Sequence, residues 1–415
     1  MPTFADTLRE ALTPLARSLL SHPFVTAIEA ETLPRHVLDC FVAQDLRVVD
    51  AAGRALAAAA ARADGEERLR LLRGATQEAE DRDRLLALAG ALGLQDAQLA
   101  GAEPLAGCAA LGHFLFRLCA IAPDPQRRAA FAALRAVFAF MARRIAAGLR
   151  SQYGLDAGAV AFFARHAEGA PEDPLEWTAA VAAEGVAEPV RRAILAGARQ
   201  ALAFEKLFFD TVLAGGGAAA HAPRAACLEH PFVRGIEAGT VPPAGLRLFA
   251  EQLFRRHREA IRAAGVALAR TAEAGSHAAM VEAIRGAAAR GEALRAFASA
   301  VGSHDSELET AEILPGAVAL PDYLMWTAAF GQPGELAAAD EATADLWAVI
   351  GPRLAATLTA RYALPPAAAA ALVTSGAGAG GARASAARPG PAPLLALQYE
   401  RLFLDTLLRS VRTAR

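Results

Sequence analysis

Within its 415 residues the chain repeats itself, and that repeat limits the fold more than any other feature. HPFVTAIEAETLP begins at His22, and HPFVRGIEAGTVP begins at His230. LAFEKLFFDTVL carries Glu205, and LQYERLFLDTLL carries Glu400. Two matched segments, in the same order and near both ends of each half, mark a tandem duplication. Each copy then has about 200 residues from which to build its own core, a comfortable size for one domain. Between the matched ends, HFLFRLCAIAPDPQRR (from His113) lies ungapped against DYLMWTAAFGQPGELA (from Asp322), and the register runs on to Tyr153 and Tyr362. The copies are read as residues 1–218 and 222–415, joined through AGGGAAAHAPRAA, where glycine and proline remove helix propensity. TSGAGAGGARASAARPGPAP, just before the last helix of copy 2, reads as a loose insertion or inter-helix loop.

The periodicity inside each copy is helical. From Arg35 to Arg62, Leu38, Phe41, Asp45, Val48, Ala52 and Leu56 recur three or four residues apart, with Pro34 at the start. The last segments follow the same rule: Leu202, Glu205, Phe208, Phe209 and Val212 share a face, as do Leu397, Glu400, Phe403, Leu404 and Leu407. No stretch alternates as a half-buried strand would. The chain is 54% hydrophobic but only 6% aromatic, which suits close-packed helices better than sheets. An all-α protein with six to eight helices per copy is expected.

Several function classes are disfavoured. Net charge is −2 with no sustained basic tract, so nothing supplies the footprint that a phosphate backbone needs, and no nucleic-acid partner is expected. No apolar run of about 20 residues offers a membrane span, and the first residues do not read as a signal peptide; a cytoplasmic location is expected. Cys40, Cys108, Cys119 and Cys227 form no CxxC pair and read as small buried hydrophobes.

The informative residues are carboxylates standing in apolar stripes. Asp45 follows Phe41 by four residues and precedes Val48 by three; Glu205 lies between Leu202 and the Phe208–Phe209 pair. A buried carboxylate without a partner costs several kcal/mol. Each therefore faces either a helix–helix ion pair, with Arg47, Arg54 or Arg144 as candidates for Asp45, or a ligand pocket. Copy 2 has Leu253 at the position of Asp45 but keeps Glu400, so its site has different chemistry or has become scaffold. Asp210 and Asp405 sit off the stripe and suit capping or a salt bridge to a neighbouring helix. His22 and His230, each before Pro-Phe, read as a structural corner. His166 is a rim or core histidine and the weak candidate for a metal, which would need further ligands beside it. The clusters around His304 and His257 read as solvated surface.

The ordered set HPFVTAIEAETLP, FVAQDL and AFEKLFFDTVL resembles the TenA/THI-4 (thiaminase-2) branch of the haem-oxygenase-like superfamily, and copy 2 is similar through HPFVRGIEAGTVP, FAEQLF and QYERLFLDTLL. The resemblance implies a helical bundle around a central pocket in each copy. It also implies hydrolysis of thiamin-derived aminopyrimidines, with Asp45 binding the ring and Glu205 handling protons. The family's nucleophilic cysteine falls on Leu134 in copy 1 and Thr343 in copy 2, and the tyrosine four residues later on Phe138 and Trp347. The usual covalent route is therefore missing. FFARHAEGAPED also resembles the late helix of the PQQ-synthesis and metal-dependent oxidase branch. There His166 fits the first histidine, while Ala170 and Asp173 replace the other two ligands.

Three readings remain. Copy 1 binds a small aminopyrimidine or related nitrogenous compound and hydrolyses it with Glu205 as general base and then acid and Asp45 as orienting group; or the chain is a non-catalytic binding or scaffold protein; or it is an oxidase with an atypical metal site. The first needs no cofactor and no resident metal. The partner expected is a small-molecule ligand, and relatives of this kind commonly assemble as homo-oligomers, a homodimer among them.

Overall fold

The computed structural model describes residues 3–171, 173–176, 186–214, 222–270, 274–332, 334–374 and 391–413. Every regular element among them is a helix. The chain divides into two units, Met1–Gly217 and Ala218–Arg415. The stretch joining them and most of the glycine-rich segment before the last helix lie outside the described residues.

The described helices of unit 1 are α1 (Phe4–Leu20), α2 (Pro23–Glu29), α3 (Arg35–Ala60), α4 (Gly65–Ala91), α5 (Asp96–Gly101), α6 (Ala106–Ile121), α7 (Asp124–Ser151), α8 (Ala161–Ala167) and α9 (Glu188–Leu213). Those of unit 2 are α10 (Pro223–Leu228), α11 (Pro231–Glu237), α12 (Pro243–Arg270), α13 (Ala274–Ala300), α14 (Asp305–Thr310), α15 (Pro315–Phe330), α16 (Glu335–Tyr362), α17 (Pro366–Ala369), α18 (Ala371–Thr374) and α19 (Pro391–Thr413). In unit 1, α3 packs against α4 and α6, and α9 against α1, α6 and α7. Unit 2 repeats this with α12 against α13 and α15, and α19 against α15 and α16. The helix expected from Arg35 to Arg62 runs from Arg35 to Ala60, and its apolar stripe, Asp45 included, is buried.

Matched polar contacts pin the same register in both copies. Gln44 donates from Nε2 to Glu103 O and accepts from Leu105 N, both at 2.9 Å. Gln252 makes the same pair of bonds to Glu312 O and Leu314 N, at 2.9 and 2.8 Å. These glutamines tie α3 to the start of α6, and α12 to the start of α15. The His-Pro-Phe corners are N-caps. His22 Nδ1 accepts from Phe24 N at 3.1 Å, which leaves the proton on Nε2 to donate to Asp210 Oδ1 at 3.0 Å. His230 repeats both contacts with Phe232 and Asp405, at 3.1 Å each. Asp210 and Asp405 thus clamp the last helix of each copy to its entry corner, as a salt bridge to a neighbouring helix would. Beneath the corner of copy 1, Phe24 packs on Phe41 and Phe209.

Close helix crossings depend on paired glycines. A Cβ on Gly107 would collide with Thr211 across the α6–α9 contact, and one on Gly316 with Thr406 across α15–α19. Two turns show a reciprocal exchange. After α2 the chain turns left-handed at Glu31 (φ 55°), where copy 2 has Gly239; after α16 it does so at Ala363 (φ 54°), where copy 1 has Gly154.

Among the described residues no helix is long and apolar enough to cross a membrane.

Candidate functional site

The helices that carry the anomalous carboxylates converge in copy 1. Asp45 on α3 is 8% exposed and Glu205 on α9 is 7% exposed, so both have been moved almost wholly out of water. None of the three arginines considered as a partner for Asp45 reaches it. Arg47 donates to Ala102 O, and Arg144 pairs with Glu29 while donating to Leu20 O; Arg54 is exposed. Asp45 Oδ2 is buried with no hydrogen-bond partner. Burial, then the neighbouring carboxylates Glu205 and Asp81, push the Asp45 pKa well above the carboxylate range. Burial alone pushes Glu205 from 4.5 up to about 8. Glu205 therefore holds a proton at neutral pH. A neutral carboxylic acid offers one donor and one acceptor side by side.

A further pair comes from α4, whose TQEAEDRDR run gives no sequence hint of which face turns inward. Glu78 is half-buried. Burial, then Asp81 and Asp45, push it up to about 8 against the opposing pull of Arg165. Asp81 is 2% exposed and is the ionised member. Burial works against its charge, but His166 (3.4 Å), Arg165 (3.6 Å) and Arg84 (2.8 Å) outweigh it and hold Asp81 below the usual range. His166 is thus tied to one carboxylate and set edge-on to Phe138 and Phe162, with centroids 5.1 and 4.7 Å away. Phe163 and Phe208 both pack on Phe41, with ring centroids 5.7 and 5.8 Å away.

Among the described residues the chemistry that other branches would need is not assembled. Asp173, which stands where the resembled branch has its last histidine, pairs with Arg9 at 2.9 Å. Among the described residues no three His, Cys, Asp or Glu side chains converge as a metal site requires, so a dinuclear centre does not fit these residues. Leu134 stands half-buried on α7 where a family nucleophile would be. Burial raises the thiol pKa of Cys40, and burial followed by Cys40 and Asp45 raises that of Cys108. Cys119 and Cys227 are pushed up to about 12, chiefly by burial. Nucleophilic cysteines are activated in the opposite direction.

Copy 2 rebuilds the same place with the charge inverted. In the register fixed by Gln44 and Gln252, Leu253 stands for Asp45 and Arg256 for Val48. Helices α4 and α13 are both 27 residues long and are each followed by a left-handed glycine, Gly93 or Gly302. Ala287 therefore replaces Glu78, and Arg290 replaces Asp81. The retained Glu400, 1% exposed, is closed by Arg256. The guanidinium donates from Nη1 to Oε2 at 2.8 Å and from Nη2 to Oε1, with its carbon 5.0 Å from the Phe403 ring centre. His257, expected on a solvated face, is instead half-buried with Nε2 2.6 Å from Ala287 O. Burial lowers its pKa; the bond to Ala287 opposes this, while Arg290 and Arg256 add to the lowering. The reason for the misreading is local: FRRHREA is charged on every side in sequence, but one side of that turn faces α13.

A TenA homologue from Pseudomonas syringae pv. tomato is 13% identical over 51% of this chain and 93% of its own, with a TM-score of 0.46. A TenA homologue from P. horikoshii is 19% identical over 52% of this chain and all of its own, with a TM-score of 0.41. A domain with a haem-oxygenase-like fold from Shewanella denitrificans is 14% identical over 50% of this chain and 90% of its own, at 0.43. No curated protein matches the chain. The TENA/THI-4/PQQC family model matches residues 9–214 and again 219–368, once in each copy. The chain belongs to the TENA/THI-4/PQQC family, as a tandem duplication of its all-helical domain.

Proposed function

We propose that copy 1 binds a small aminopyrimidine, or a related compound with an N–C–N edge, and hydrolyses it in the manner of thiamin salvage. The observation that carries this reading is the buried Asp45, whose Oδ2 has no hydrogen-bond partner, close enough to the buried Glu205 for that carboxyl to raise its pKa. A protonated carboxyl presents O–H and C=O together, which matches the ring nitrogen and amino group of an aminopyrimidine in a paired hydrogen bond. Asp45 is the orienting group.

Without a thiolate, water is the nucleophile. Glu205 enters as an acid rather than a base, because at about 8 its pKa leaves it protonated at neutral pH. It gives its proton to the departing amine nitrogen as the C–N bond breaks. Water forms the new C–O bond, and its proton returns to the Glu205 carboxylate. An amine and water become an alcohol and ammonia, and Glu205 is restored.

Titration calorimetry of the full chain with a thiamin-derived aminopyrimidine tests this. The expected result is saturable binding near one ligand per chain, lost in Glu205→Ala, with ammonia released on turnover. No binding up to millimolar ligand would refute it. The non-catalytic reading fits copy 2, where Arg256 occupies Glu400 and no carboxylate replaces Asp45.

A further inference from the structure

The two copies present one site in two states. In copy 2, Glu400 is satisfied by a planar cation that the chain itself supplies: the Arg256 guanidinium, held by two N–H···O bonds above Phe403. In copy 1 the matching carboxyl is Glu205 and the matching ring is Phe208, while the arginine is replaced by the short, buried Val48. Val48 has no charge to offer, and burial pushes the Glu205 pKa up with no cation opposing it. The difference runs further in the same direction. Copy 1 adds Asp45, Glu78 and Asp81 where copy 2 has Leu253, Ala287 and Arg290. At matched positions copy 2 thus carries two cations, Arg256 and Arg290, where copy 1 carries none, so a cation brought in by a ligand is what copy 1 lacks relative to copy 2.

We infer that copy 1 takes a planar amidine- or guanidine-type cation, seated where copy 2 places its own Arg256 guanidinium. This rests on the reading of copy 1 as a ligand site and names the charge and shape of what enters. Two parallel N–H groups of the cation lie on Glu205, its flat face lies on Phe208, and its remaining N–H is directed to Asp45. A protonated aminopyrimidine contains the same N–C–N unit within a ring. Acid with amidine, and carboxylate with amidinium, differ only in the position of one proton. Glu205 therefore accepts the cation by giving up the proton it holds when the site is empty.

The test uses the full chain, titrated at mildly alkaline pH with benzamidine and, separately, with benzamide, its uncharged isostere. Benzamidine should bind once per chain, roughly tenfold or more tighter than benzamide, the difference expected of a charge-assisted pair. Val48→Arg supplies copy 1 with its own guanidinium and should abolish benzamidine binding while helix content and melting temperature hold or rise. Glu205→Gln adds no bulk and should abolish it too, should Val48→Arg fail to fold. Benzamide binding as tightly as benzamidine would overturn the inference, as would benzamidine binding unchanged in both variants. Aminopyrimidine binding without benzamidine binding would also overturn it but would leave the proposed function standing. Binding of neither would remove both.

Discussion

Replacing Glu205 with glutamine should stabilise copy 1, and by an amount that depends on pH. In the unfolded chain a glutamate ionises near 4.5, whereas in the fold Glu205 ionises near 8. Between these values the native state holds a proton that the unfolded state has released, so stability falls as pH rises through the window. The slope for one group is about 1.4 kcal/mol per pH unit. From 4.5 to neutral pH the cost accumulates to about 3 kcal/mol, and it levels off above the folded pKa of about 8. Glutamine keeps the shape and cannot ionise. The stability difference between Glu205→Gln and the parent should therefore widen by about 3 kcal/mol between pH 4.5 and pH 7. Urea unfolding at several pH values measures it. Hydrogen exchange in peptides from Glu188–Leu213 localises the change, with Pro391–Thr413 of copy 2 as an internal control. The pH-dependent difference is the decisive quantity, since any fixed effect of the amide cancels. Parallel curves would mean that Glu205 ionises normally in the fold, and the acid role assigned to it would fail.

Two backbone predictions come from comparing the copies. Glu31→Gly and Ala363→Gly each relieve a left-handed residue where the other copy already has glycine, and each should stabilise its unit by about 1 kcal/mol in thermal unfolding; a loss of stability would mean the side chain makes contacts worth more than the strain. Gly107→Ala should destabilise unit 1 by about 1–3 kcal/mol, because the new methyl meets Thr211, whereas exposed Gly90→Ala in α4 should be neutral or stabilising. Equal effects of these two alanines would contradict the close α6–α9 crossing.

The fold was legible because its signals repeat. The His-Pro-Phe corner and the closing Glu-x-x-x-x-Asp segment occur twice in the same order, and helical spacing between them leaves no room for strands. Asp45 and Glu205 were legible as charges in apolar stripes. Their surroundings were harder to read. Glu78 and Asp81 lie in a run polar on all sides, where periodicity cannot say which face turns inward. The clamp between His22 and Asp210 spans 188 positions, though its recurrence as His230 and Asp405 was a usable signal. The Arg256–Glu400 pair also left a trace. An arginine stands in the apolar stripe of copy 2 where copy 1 has valine, and a buried carboxylate waits in another stripe to receive it. Reading both stripes together would have joined residues 144 positions apart.

That pair also sets the order in which mutations can be accepted. With Arg256 in place, loss of either partner alone strands a buried charge, at a cost of about 3–5 kcal/mol. Such a loss consumes a large share of a domain's usual stability margin. Copy 1 already bears the cost of an unpaired Glu205, about 3 kcal/mol at neutral pH, so exchanging Val48 or Asp45 strands no further charge. The closed copy has no comparable single-step route back to an open site. A duplicated chain of this kind has one half locked by its own ion pair; under the proposed function, new ligand preferences would arise in the other half, the one bearing Asp45.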